Sequence, residues 1–417
     1  MIDSHSSEAS GWSPDWPREQ PVQVASHRVV GLAQNLVRIK SPLWAESDVA
    51  RFLMAYLQGI GLDTELQAVP LALGQQSHQT IGRWRGKRPG PKVLVCGHLD
   101  TSGWGEDMYR FDKWTMPPYG GIVRDGWLYG VGSLNMKGGV AAMVGAVEAL
   151  RRADFELRGE IVVACVMGET GGGVGVRHLL GHERDFDLAI VTEPTNQTVA
   201  TISVGYVQGW IRLQGELRHF EPYRNPISAA ARVIDALGPS YFPLKPGDLM
   251  TFEPCIDLPG YPRLAVRKIT SGQDDCALFF DVRTVPGQTD ESVYNDLTKL
   301  VHQLEPTLSG IQVEVVIPAS LETPNFPALP ALSRDHRLPR AVSQAHTRLH
   351  GQPPQVGAGD RIGLASDASH LKAAGIATVE YGPGKHPVWP MVDERIRTED
   401  IRLAAQVLAE TIVLLCA

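Results

Sequence analysis

Lys92-Val93-Leu94-Val95-Cys96-Gly97-His98-Leu99-Asp100-Thr101 is an apolar run that ends in glycine and passes at once into a polar His-x-Asp. Such a run is too short for a helix and reads as a buried strand of an α/β sheet. The polar pair then lies where the strand runs out into a loop, which is where such sheets gather their ligands. Three further stretches repeat this arrangement. They are Tyr129-Gly130-Val131-Gly132-Ser133-Leu134-Asn135-Met136-Lys137-Gly138-Gly139, Gly168-Glu169-Thr170-Gly171-Gly172-Gly173-Val174-Gly175 and Thr192-Glu193-Pro194-Thr195. The last two follow the apolar runs Glu160 to Val166 and Leu188 to Val191, and the first opens a Gly/Ala/Val/Met-rich helix over 137–152. The glycine run lacks both a GK[ST] ending and GxGxxG spacing, so it does not read as a phosphate loop.

Outward from this centre, helical periodicity covers 24–40 and 46–60, and residues 1–20 read as a polar arm. Strands alternating with helices give the first half an α/β layer structure. The pattern changes near residue 204. Strand (206–213), helix (226–237), strand (277–282), helix (291–304) and strand (312–317) suggest a β-α-β-β-α-β, ferredoxin-like unit. A Pro-rich stretch over 318–331 leads back to a strand at 377–381 and a closing helix at 398–415. The expected division is a discontinuous α/β domain over 21–203 and 319–417, with a central β-sheet flanked by helices, and an inserted α+β lid over 204–318.

The chain has 417 residues, enough for two or three domains of about 100–200 residues each. Hydrophobic residues make up 43% and charged residues 20%, which excludes wholesale disorder. A net charge of −7 without a basic block argues against nucleic acid or an anionic membrane as partner. The five cysteines are scattered, with no CxxC pair, so neither a disulfide framework nor a cysteine zinc site is expected. With no signal-peptide pattern at the start and no long apolar span, the expected compartment is the cytoplasm.

Together the four stretches resemble the di-zinc amidohydrolase and exopeptidase family that includes acetylornithine deacetylase, succinyl-diaminopimelate desuccinylase, aminoacylase and glutamate carboxypeptidase. The resemblance runs from about residue 25 to 415 and includes Trp114 to Tyr119, Gly215-x-x-x-His219, Asp281-Val282-Arg283, Ser366-Asp367, Gly382-Pro383-Gly384 and Asp393-Glu394. It implies a zinc-exopeptidase-like fold, with the insert as a lid and dimerisation domain. It makes His98 a metal ligand that Asp100 orients, Glu169 the general base and Glu193 a ligand. It makes His219 an oxyanion-stabilising residue for the partner subunit of a homodimer. Arg283, Asn135, Gly382 and Gly384 become substrate contacts, with Arg283 on a substrate carboxylate.

The same resemblance exposes three changed positions. Asn135 stands where the family has a bridging carboxylate, Thr170 where it has a ligand Glu, and Pro390 where it has a late ligand His. All three belong to one metal, whereas His98 and Glu193 belong to the other. His386 lies four residues before the vacant position. No zinc pair is expected, and any metal would be one weakly held zinc at His98 and Glu193. Three readings remain open. The first is a metal-independent enzyme for a small N-acyl or aminoacyl amino-acid-like substrate with a free carboxylate, carrying out amide hydrolysis, amide formation by acyl transfer or related acid–base chemistry through Glu169. The second is a single-metal amidohydrolase, and the third a non-catalytic small-molecule-binding homologue.

Overall fold

The computed structural model describes residues 16, 19–101, 109–215, 225–247, 249–272, 274–308, 310–318, 325–359, 362–385 and 391–417. His219, His386 and Pro390 lie outside the described residues.

The larger body is built on an eight-stranded mixed sheet. Its middle holds four neighbouring parallel strands in the order Arg158–Val166, Arg88–His98, Leu188–Val191 and Ala377–Glu380. These strands are almost continuously apolar and buried, as a sheet covered on both faces requires. On one face the helices Ser26–Arg38, Gly138–Arg152 and Thr398–Cys416 pack through Val29, Leu36, Val140, Val144, Leu408 and Ile412. On the other, Val174–His182 and Asp367–Ala373 pack through Val176, Leu179 and Leu371. An antiparallel hairpin, Asp63–Pro70 with Gln76–Arg85, extends one edge of the sheet.

A second, four-stranded antiparallel sheet has the order Arg263–Ser271, Asp275–Thr284, Gly205–Gln214, Gln312–Val316. Helices Pro226–Leu237 and Asp290–Leu304 cover it, and Val207, Ile211, Leu278, Phe280, Val293 and Leu297 form a core cluster of its own. Both helices start on side-chain caps: Asn225 accepts from Ile227 N, and Thr289 and Ser292 form a reciprocal capping box. The element order and sheet order are those of a ferredoxin-like unit. No helix among the described residues is long and apolar enough to cross a membrane.

Candidate metal and catalytic centre

Strand register brings the polar stretches together. Cys96 pairs with Val191 and His98 with Val166, so two residues past Val191 and three past Val166 the chain delivers Glu193 and Glu169 beside His98. All three side chains are buried. One ligand atom from each of His98, Glu169 and Glu193 lies within 4.8 Å of the other two.

The imidazole is oriented for ligation. His98 Nδ1 lies 3.0 Å from the Asp100 carbonyl oxygen, which can only accept, so Nδ1 carries the proton. In the neutral ring Nε2 then holds the lone pair, facing Asn135 Oδ1 at 3.2 Å and Glu193 Oε1 at 3.7 Å. The Asp100 carboxylate stands 3.5 Å from Nδ1 and is engaged elsewhere. It accepts from Glu169 N and Thr170 N, both at 2.9 Å, and from the Thr170 hydroxyl at 2.7 Å. Asp100 thus fixes the turn carrying Glu169, a task its place two residues after His98 did not reveal.

Charge is concentrated in this small volume. Burial opposes a positive His98, but Asp100, Glu169 and Glu193 outweigh it and hold the imidazole well above its usual pKa. For Glu169, burial pushes the carboxyl well above its usual range. His98 opposes that shift, and Glu193, Asp367 and Asp100 reinforce it. Asp100 moves the other way: burial would raise it, yet His98 and the Thr170 hydrogen bonds keep it below the usual carboxylate range. Displaced acid–base groups converging in one cleft mark a site of proton transfer or metal binding.

His98 and Glu193 offer an imidazole and a carboxylate, the usual ligands of a zinc-like ion, with the Glu169 carboxyl beside them. Among the described residues no second such group is present. The Asn135 side chain is a neutral amide, and the Thr170 hydroxyl donates to Asp100.

Other residues frame the centre. Glu394 is buried and accepts from Gly132 N, Leu134 N and Asn135 N at 2.7–3.1 Å, fixing the loop that carries Asn135. Burial pushes the Glu394 carboxyl up to about 7 and the nearby Lys137 ammonium down to about 7. Lys137 donates to the Ile39 carbonyl. Asp367 is buried with neither carboxylate oxygen hydrogen-bonded among the described residues. Lys137 and Asp367 both lie in quoted motifs, but nothing in their sequence neighbourhood signals that their charged side chains are buried.

Gly382 packs behind Glu193. A methyl there would fall 2.4 Å from the carbonyl oxygens of both Thr192 and Glu193. Gly382→Ala is therefore expected to cost about 1–3 kcal/mol in denaturant unfolding; an unchanged midpoint would show that the loop yields. Gly384, at φ +77°, accepts from Asn196 N at 2.7 Å and closes the same loop. Arg283 lies in the second sheet, stacked 3.8 Å from the Tyr206 ring centroid with Nε 3.8 Å from Asp281 Oδ1. Both of these partners belong to the second sheet.

Comparison with known proteins agrees with this geometry. The chain is 24% identical to the N-formyl-4-amino-5-aminomethyl-2-methylpyrimidine deformylase of Bacillus subtilis, over 96% of this chain and 97% of that protein. It is 28% identical to the succinyl-diaminopimelate desuccinylase of Wolinella succinogenes, over 92% and 99% respectively. Among solved structures, a tripeptidase from Staphylococcus aureus superposes with a TM-score of 0.73 at 18% identity, covering 94% of this chain and 99% of that one. The model of peptidase family M20/M25/M40 matches residues 94–413. With that match spanning both halves of the larger body and the sheet between them, the chain belongs to peptidase family M20/M25/M40.

Proposed function

We propose that the chain is an amidohydrolase that removes a small acyl group from an amino-acid-like amine bearing a free carboxylate. Glu169 serves as general acid/base, and His98 and Glu193 hold a single metal ion. The observation that carries this reading is the convergence of His98, Glu169 and Glu193 within 4.8 Å, while Thr170 is tied to Asp100. A bound ion would polarise the acyl carbonyl and acidify water. The chain's own residues supply the rest. Asp100 holds the base-bearing turn, its carbonyl sets the His98 tautomer, and Glu169, whose carboxyl burial pushes well above its usual range, is placed to pass a proton to the departing amine. The names of the two relatives share removal of a small acyl group, which supports this reaction class.

A metal-independent variant of the same reaction has one observation in its favour. Without an ion, the carboxylates of Asp100, Glu169 and Glu193 around His98 favour its protonated form against the pull of burial. Both readings are tested by primary-amine release from a panel of N-formyl, N-acetyl and N-succinyl amino acids, with and without chelator. The single-ion reading expects turnover that chelator abolishes and zinc restores; turnover indifferent to chelator moves the assignment to the metal-independent one. No turnover across the panel, with ligand binding retained, would leave a binding protein.

We further propose residues 204–318 as a lid that pairs two chains, bringing His219 and Arg283 to a substrate. Strand Arg263–Ser271 is an edge strand with Ile269 53% exposed, and Ile227 is 51% exposed on helix Pro226–Leu237. Light scattering is expected to give twice the chain mass, and Ile269→Lys to reduce it towards one chain. A monomeric unaltered protein would defeat the pairing.

A further inference from the structure

The Gly168-Glu169-Thr170 turn has three successive backbone N–H groups directed at carboxylates. Two go to Asp100, as described. The first, Gly168 N, donates to Glu46 Oε1 at 3.2 Å. Glu46 is fully buried and directly precedes helix Ser47–Gly59. Its side chain makes no cap bond to that helix. Instead Oε1 also accepts from Trp44 N at 3.0 Å, and Oε2 accepts from the buried Ser77 hydroxyl at 2.7 Å. The Trp44 indole lies against the same turn, since a methyl at Gly171 would fall 2.2 Å from its Cη2. The opposite side is fastened by His370, whose Nε2 lies 3.0 Å from the Gly172 carbonyl.

We propose that Glu46 is a positioning residue for catalysis: with Asp100 it clamps the Gly168–Thr170 backbone and so aims the Glu169 carboxyl at His98 and Glu193. The clamp rests on the reading of Glu169 as general acid/base. Accepting from Gly168 N, Trp44 N and the Ser77 hydroxyl at once, this buried carboxylate ties the Gly168 turn to the segment that enters helix Ser47–Gly59. Displacing a reacting group by about 1 Å can cost about 10²-fold in rate. Burial, reinforced by the Asp100 charge, pushes the Glu46 carboxyl up to about 7. Either protonation state leaves Oε1 as an acceptor for Gly168, so glutamine is a fair replacement and alanine is not.

The test is amide hydrogen exchange across 167–173 in the full chain, together with kcat and KM on the best N-acyl amino acid from the panel. Glu46→Ala is expected to speed exchange in that turn about 10-fold or more. It should lower kcat about 10–100-fold with KM within about threefold, and Glu46→Gln should recover most of both. In a Glu169→Gln background, adding Glu46→Ala should cost little further rate, as expected for residues acting as a unit. If Glu46→Ala does not fold, Ser77→Ala decides, with a smaller acceleration in the same turn expected. Unchanged exchange in the turn, or full additivity of the two losses, overturns the clamp. Full activity in Glu169→Gln alone overturns the general-base reading instead, and the exchange result then stands separately.

Discussion

Glu169→Gln is expected to lower kcat by about 10²–10⁴-fold, the usual contribution of a positioned acid or base, with the fold intact. The turn is held through backbone N–H groups bonded to Asp100 and Glu46, not through the Glu169 side chain. Glutamine therefore keeps the shape of the site and loses only the exchangeable proton. That proton matters because burial, with Glu193, Asp367 and Asp100 adding to it, holds the carboxyl well above its ordinary range against the opposing pull of His98. Substrate contacts remain, so KM should move little and the unfolding midpoint should not drop. Unchanged turnover would return Glu169 to the role of a glycine-turn carboxylate.

Much of this was legible in the chain. The run from Lys92 to Asp100 announces a buried strand with chemistry at its end, and the structure places His98 there. The ferredoxin-like unit was readable in three of its four strands, because Gly205–Gln214 and Asp275–Thr284 alternate and the two helices carry apolar stripes, whereas the edge strand Arg263–Ser271 was not assigned. The hairpin Asp63–Pro70 with Gln76–Arg85 was missed: Asp63, Glu65, Gln76 and Arg85 break the apolar runs on which a strand assignment rests. The small sheet of Ile122–Arg124, Trp127–Tyr129 and Arg395–Arg397 was missed because three-residue strands carry no period. At the site, residues two or three positions apart in a motif could be read. Glu46 could not, since its importance arises from Gly168, which is 122 residues away.

His98→Ala and Glu193→Ala are each expected to abolish metal binding and with it nearly all activity. Each removes one of the two side chains assigned to hold the ion, and a catalytic zinc normally keeps three protein ligands, so neither can be spared. The single surviving ligand would hold the ion far more weakly. Asn135→Asp, Thr170→Glu and Pro390→His together restore the ligand types of a paired site and should gain a second equivalent of zinc. Thr170→Glu alone should gain none, and it also removes the hydroxyl bonded to Asp100. Second-ion binding by that single variant would show that counting donors misjudges the site.

The most direct test of a single-ion centre is a zinc titration of the chelator-stripped full chain, read by calorimetry and by elemental analysis after desalting. One equivalent per chain, lost in His98→Ala and retained in Thr170→Ala, is the expected result. Two equivalents, none, or one that survives His98→Ala would contradict it.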